Sequence, residues 1–128
     1  MKFGYTILYV DDVAATLAFY GQAFDLPTRF LHDSGGYGEL ETGATALAFA
    51  SRAMLRELGK TPHPPSLGQP TGEIALVTDD VAAAVSRAVA AGATLVQPPK
   101  AMPWGQTIAY VGDVNGFLVE LCTPVAAD

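Results

Sequence analysis

The most constraining feature of this chain is that it partly repeats itself. Residues 5–15 read YTILYVDDVAA and residues 73–83 read EIALVTDDVAA. At a shift of 68, Leu8, Asp11, Asp12, Val13, Ala14 and Ala15 meet identical partners in Leu76, Asp79, Asp80, Val81, Ala82 and Ala83. A solenoid needs at least three copies to bury a continuous core. Two copies about half a chain apart point instead to a duplicated module with pseudo-twofold symmetry.

Each copy opens as a strand followed by a helix. Residues 4–10 are rich in Tyr, Ile, Leu and Val, as a buried strand should be. Asp11 or Asp12 can then cap a helix by accepting from the free N–H groups of its first turn. Val13, Leu17, Tyr20 and Phe24 follow on one helical face, and Val81, Val85, Ala88 and Val89 do so after Asp79 or Asp80. Gly92 is placed to end the second helix with a positive φ. Three shorter strands follow each helix, at about 28–33, 36–41 and 44–50 and again at about 93–97, 106–111 and 117–123. Each half reads β-α-β-β-β. Ser51 is placed to cap a short helix through Leu58, and the four prolines of Thr61–Pro70 mark a connection. The expectation is a single domain over 1–128, with module 1 at about 1–60, a linker at about 61–70 and module 2 at about 71–125.

Composition excludes several classes. Of 128 residues, 50% are hydrophobic and 16% charged, which a disordered chain would not be. Cys122 is the only cysteine, so no disulfide scaffold forms within the chain. No apolar run reaches the roughly 18 residues of a membrane helix. The start Met1–Tyr5 lacks the apolar stretch of a secretory leader, so the expected location is cytoplasmic. Thirteen acids against seven bases give −6, and no basic stripe exists for a nucleic acid. Arg52, Arg56 and Lys60 follow helical spacing and read as a solvated helix face. The apolar excess suggests surface buried in an oligomer or lining a pocket. No phosphate loop, dinucleotide fingerprint or nucleophile elbow is present.

The residues that carry a resemblance lie at the two ends. YVDDVAATLAFYGQAFDL and PWGQTIAYVGDVNGFLVELCTP resemble the first strand–helix and the last hairpin of the vicinal oxygen chelate superfamily, which includes glyoxalase I, bleomycin-resistance proteins and extradiol dioxygenases. Family members often carry D-P-D-G-x-x-x-E-L in that hairpin. Here Asp113-Val114-Asn115-Gly116 through Glu120-Leu121 keeps the glycine and glutamate but not the proline or second aspartate. The resemblance implies an α+β fold, two βαβββ modules forming a curved mixed sheet with a concave cleft. In metal-dependent relatives four cleft positions supply ligands, two on the first strand and two on the last strand of the modules. Carried over, they fall on Tyr5, Ala48, Glu73 and Glu120. The shift of 68 independently pairs Tyr5 with Glu73.

This set departs from the family's metal pattern. Relatives use His, Gln and Glu, or two His and one Glu. Here no histidine stands at a ligand position and Ala48 has no donor atom. Two carboxylates can hold a hard ion such as Mg²⁺ or Mn²⁺ through waters, whereas Zn²⁺ wants imidazole or thiolate. Read without a metal, Glu73 and Glu120 cannot both ionise cheaply if close, and one becomes a candidate general acid or base. Glu73 at a strand start can equally sit in water.

Strand alternation adds the remaining candidates. Glu73, Ala75 and Val77 should share the face equivalent to Tyr5, Ile7 and Tyr9, and strand 44–50 should bury Leu47 and Phe49 and turn Ala46, Ala48 and Ala50 to the cleft. Leu118, Glu120 and Cys122 should oppose Phe117, Val119 and Leu121. Tyr9, Tyr37 and Tyr110 are candidate cleft linings, with core or dimer packing as the alternative. Trp104, between Pro103 and Gly105, can close over a ligand from a loop or plug a sheet edge. Glu39 and Glu41 alternate about Leu40 like a solvated strand face, and His32 and His63 fall in loops. Cys122 has no visible base to activate it.

Two readings follow. One is a metal-independent small-molecule binder like the bleomycin-resistance branch, which the resemblance implies to be a homodimer, with no cofactor and no nucleic-acid or membrane partner. The other is a glyoxalase-like lyase or isomerase with Glu120 as base and Glu73 assisting, on a divalent ion (Mg, Mn, Ni or Zn) if one is bound.

Overall fold

The computed structural model describes residues 1–125. They form two compact units, one over Met1–Pro64 and one beginning at Pro65. The first contains β1 (Tyr5–Val10), α1 (Val13–Phe24), β2 (Thr28–Leu31), β3 (Tyr37–Leu40), β4 (Ala46–Ser51) and α2 (Arg52–Glu57). The second contains β5 (Glu73–Val77), α3 (Val81–Ala90), β6 (Thr94–Ala101), β7 (Thr107–Gly112) and β8 (Leu118–Cys122). Each is a βαβββ module with a four-stranded mixed sheet, in the orders β1-β4-β3-β2 and β5-β8-β7-β6.

The repeated Asp-Asp builds the same joint twice. Asp12 accepts from the Ala15 N–H at 3.0 Å, and Asp80 accepts from the Ala83 N–H at 3.0 Å. Each second aspartate thus satisfies an N–H that a helix start would leave free. The exits differ. Helix α1 stops at Asp25, a non-glycine residue in the left-handed region at φ 58°, whereas α3 is followed by Gly92 at φ 115°.

In each unit the first and last strands run parallel and the other pairs antiparallel. One sheet face carries the helix and its core. In the first unit this core holds Val10, Val13, Leu17, Tyr20, Leu40, Leu47 and Phe49. The Tyr20 and Phe49 rings lie 5.1 Å apart. Gly38 in β3 is required here, because a Cβ would stand 2.7 Å from Leu17 Cδ1 and 3.1 Å from Val13 Cγ1. The second core is built from smaller side chains: Val81, Val85, Ala88, Ala109, Val111, Val119 and Leu121.

Three expectations need correction. Phe24 is only half-buried and Val89 is exposed, because each lies at a helix end beyond the sheet's reach. Phe117 precedes β8 and is half-buried, so Val119 and Leu121 alone fill that face. Arg52 is not part of a solvated face. Its guanidinium is buried, donating to Asp11 Oδ1 from Nε at 3.1 Å and to the Tyr9 carbonyl from Nη1 at 2.7 Å. Spacing alone could not show that α2 folds back on the end of β1.

Candidate functional site

The site candidates lie on the helix-free sheet faces, and strand register says which residues share a row. In the second unit Ala75, Glu120, Tyr110 and Gln97 form one row across the four strands. Val77, Cys122 and Ile108 form the next, and Glu73 pairs with Leu118 on the other side. Glu73 and Glu120 are therefore diagonal neighbours on adjacent strands, within reach of one another's charge. Glu73 is exposed, and partial desolvation, then the charge of Glu120, raise its carboxyl above the ordinary value.

The Tyr110 hydroxyl donates to Glu120 Oε1 at 3.1 Å. Its phenol is raised by burial first and then by that hydrogen bond and the two carboxylates. Burial and then Glu120 push the Cys122 thiol up as well, so it stays a thiol rather than a thiolate nucleophile. Gln97 was not singled out in the sequence, yet its Nε2 is buried with no hydrogen-bond partner. Such orphaned donors are uncommon in folded proteins and mark a place where a ligand acceptor would be welcome. Its only sequence signal is a polar residue inside the otherwise apolar run Leu95-Val96 to Pro98-Pro99.

In the first unit the matching row is Ile7, Ala48, Glu39 and Phe30. Since the shift of 68 sets Ile7 against Ala75, register places Ala48 where the second unit has Glu120. Ala46, Ala48 and Ala50 are on the helix-free face but are buried; Ala48 lies between Ile7 and Glu39, and Ala50 between Tyr9 and Tyr37, on the flanking strands. Tyr5 is 60% exposed at the start of β1. Tyr9 is half-buried, with the Lys60 ammonium 5.7 Å from its ring centre.

The larger surprise of this unit is Glu39. The alternation Glu39-Leu40-Glu41 suggested a solvated face, but Glu39 is only 6% exposed. The Tyr37 hydroxyl donates to its Oε2 at 2.7 Å, and Arg29 Nη1 stands 3.6 Å from its Oε1. Burial first, then Glu39, push the Tyr37 phenol far up. Arg29 lies where the β2–β3 register slips, and such bulges re-aim side chains. From there it donates to both Glu41 oxygens, at 2.9 and 2.7 Å, and to the Gly43 carbonyl at 2.9 Å. Glu41 is lowered by that pairing. So the acid absent from Ala48 has a counterpart one strand away, in the same row.

Trp104 belongs to neither row. It tops the turn between β6 and β7, 61% exposed, and its indole N–H donates to Gln106 Oε1 at 2.7 Å. Gln106 Nε2 in turn donates to the Thr123 carbonyl at 2.8 Å. His32 and His63 are both exposed. Among the described residues, no three His, Cys, Asp or Glu side chains gather to hold a metal ion. The donor set carried over from the resemblance is one phenol, one methyl and two carboxylates, which is not the imidazole-bearing set that retains Zn²⁺ or Fe²⁺. No helix among the described residues is long and apolar enough to cross a membrane.

Two βαβββ modules of this topology agree with the comparisons. The family profile for the Glyoxalase/Bleomycin resistance protein/Dioxygenase superfamily matches residues 2–121. The chain belongs to that superfamily. It is 32% identical over 123 residues to an uncharacterized protein of Mycobacterium bovis, spanning 92% of this chain and 80% of the relative. Among solved structures it is similar to a glyoxalase-related enzyme from Fulvimarina pelagi, with 25% identity, a TM-score of 0.83 and coverage of 100% and 94%. A superfamily member from Burkholderia phytofirmans shares the fold at a TM-score of 0.75 and 22% identity, over 96% and 98% of the two chains.

Proposed function

We propose that this chain is a small-molecule-binding protein of the bleomycin-resistance-like kind that works without a resident metal. The observation that carries the reading is Ala48 at the register position of Glu120. With it, the four carried-over positions offer two carboxylates and no imidazole, a set suited to hydrogen-bonding an organic ligand rather than retaining a transition metal. The half-buried Tyr110–Glu120 pair supplies acceptor atoms for polar groups on that ligand. Tyr5, Ile7 and Val77 leave exposed apolar surface along the first strand of each module, which supports a homodimer. A cytoplasmic location goes with this reading.

The test is metal content in protein purified without added metal, followed by calorimetric titration with Mn²⁺, Ni²⁺ and Zn²⁺. The expected result is no stoichiometric binding. Stoichiometric binding that disappears in Glu120→Gln would overturn the reading. Light scattering should give twice the 13.3 kDa chain mass, and a monomer mass would contradict the dimer.

One observation favours a second reading, a glyoxalase-like lyase. The raised Glu73 carboxyl beside Glu120 is the kind of pair in which one group holds a proton and the other accepts one. Here Glu120 would be the base and Glu73 would assist. Turnover of glutathione hemithioacetals that is lost in Glu120→Gln would establish it, and absence of turnover would remove it.

A further inference from the structure

We infer that the first unit holds a subsite for a small organic carboxylate, built on Lys2 and Arg29 at the β3–β4 turn end of its sheet. The inference rests on the ligand-binding reading and names the chemistry of one part of the ligand.

A concavity of about 430 Å³ opens there, lined by Lys2, Phe3, Tyr5, Arg29, Thr45 and Ala46 among others. That volume lies within the range of sites for small molecules. Two of the chain's seven cationic side chains line it, in a protein whose net charge is −6. Their contributions differ. Glu41 and the Gly43 carbonyl occupy Arg29 Nε and Nη2, which fixes the plane of the guanidinium. Nη1 keeps N–H groups to spare, since the nearest Glu39 oxygen is 3.6 Å away. Much of Arg29's charge is offset by these two glutamates, so Arg29 supplies aimed donors and Lys2 supplies the net positive charge. A guanidinium held in a fixed plane, with only Nη1 not hydrogen-bonded, can donate to one oxygen of a carboxylate.

The rest of the lining suits an apolar body. Phe3 and Tyr5 present exposed rings, and Ala46 is a small floor residue. The adjoining turn is braced, because Thr42 Oγ1 donates to the Thr45 carbonyl at 2.8 Å and accepts from the Leu47 N–H at 2.9 Å. That side of the subsite is therefore held in place, which limits the ordering cost there. A flat aromatic acid, with its carboxylate on Arg29 Nη1 and Lys2 Nζ and its ring against Phe3 and Tyr5, fits this arrangement.

The experiment uses the full chain, isotope-labelled, titrated with benzoate, benzyl alcohol and benzylamine while amide resonances are followed. Benzoate should shift the Gly4, Thr45 and Ala46 amides, and the other two should bind there at least roughly tenfold more weakly, the equivalent of one charge-assisted hydrogen bond. Lys2→Gln should weaken benzoate and flatten its salt dependence. Arg29→Lys keeps a cation beside Glu39 and Glu41 but removes the Nη1 donor, so it should weaken benzoate while the protein stays folded. If benzylamine or benzyl alcohol binds these residues as well as benzoate does, the carboxylate inference fails and the ligand-binding reading stands. If benzoate binds equally well to both variants, the inference also fails. If none of the three compounds shifts any amide, while a wider set of amines and alcohols binds at Tyr110 and Glu120, only the inference falls. If that wider set does not bind either, both fall.

Discussion

The two modules share a plan and differ in where they keep their acids. In the second, Glu120 stands mid-strand on β8, half-exposed, with one phenol donating to it and a second carboxylate diagonal to it. In the first, the equivalent strand position is Ala48, and the carboxylate sits one strand over at Glu39, buried between Tyr37 and Arg29. A Tyr–Glu pair occurs on both faces, but only the first has a cation beside it. The first carboxylate faces a cation as well as a phenol, and the second faces a phenol and another carboxylate. Duplication supplied the frame, and separate substitution on the helix-free faces gave each half a different chemistry.

The largest test of this contrast is in the cores that support the faces. Phe49→Ala should cost about 3–5 kcal/mol in denaturant unfolding, since it removes a fully buried ring against Tyr20. Val111→Ala in the second core should cost about 2 kcal/mol, from the smaller volume lost. Equal costs would mean that the aromatic packing of the first module adds nothing.

Next comes the pair of acids themselves. Glu39→Ala should cost about 1–3 kcal/mol, because it removes a buried carboxylate that accepts from the Tyr37 hydroxyl and faces Arg29. Glu120→Ala should cost less than about 1 kcal/mol, since water can reach the group left behind. Glu39→Gln should also lower the Tyr37 phenol, read by ultraviolet difference spectroscopy. No change there would deny the coupling between them.

A pH measurement separates the faces further. Glu73 binds its proton more tightly folded than unfolded, because partial desolvation and Glu120 both disfavour its charge. Its ionisation therefore costs stability above the folded pKa and costs nothing once pH falls below the unfolded value. Glu73→Gln should raise the melting temperature at about pH 7 and leave it unchanged at about pH 3.5. Glu41 has the opposite sign. Its carboxyl is lowered by Arg29, so its contribution is present above the unfolded pKa and is lost as pH falls through the folded one. Glu41→Gln should lower the melting temperature slightly near neutrality and not in acid.

The smallest effects test what the halves still share. Asp12→Ala and Asp80→Ala each remove one cap and should each cost about 1 kcal/mol by thermal melting. A clear inequality would show that the repeated joint has also diverged in strength.

The frame was legible because its signals are local. A repeated Asp-Asp, an apolar strand before it and an apolar helical face after it need no knowledge of distant partners. The rows of the second module were legible for the same reason, since alternation puts Glu120 and Cys122 on one face of a strand. Glu39 was not legible. Its surroundings come from other strands, with Ala48 beside it on β4 and Arg29 near it from β2, and neither residue announces that. Arg52 escaped for a related reason, since a spacing of four suits a solvated helix until the chain folds α2 against Asp11. Gln97 was hidden because an unpaired donor is a property of its surroundings rather than of its neighbours in sequence.

The bond from Trp104 through Gln106 to Thr123 has a practical consequence. It tethers the chain's only indole to the second module, and the first module has none. Tryptophan emission is thus a built-in reporter for one half of the molecule, while the first half is silent at that wavelength.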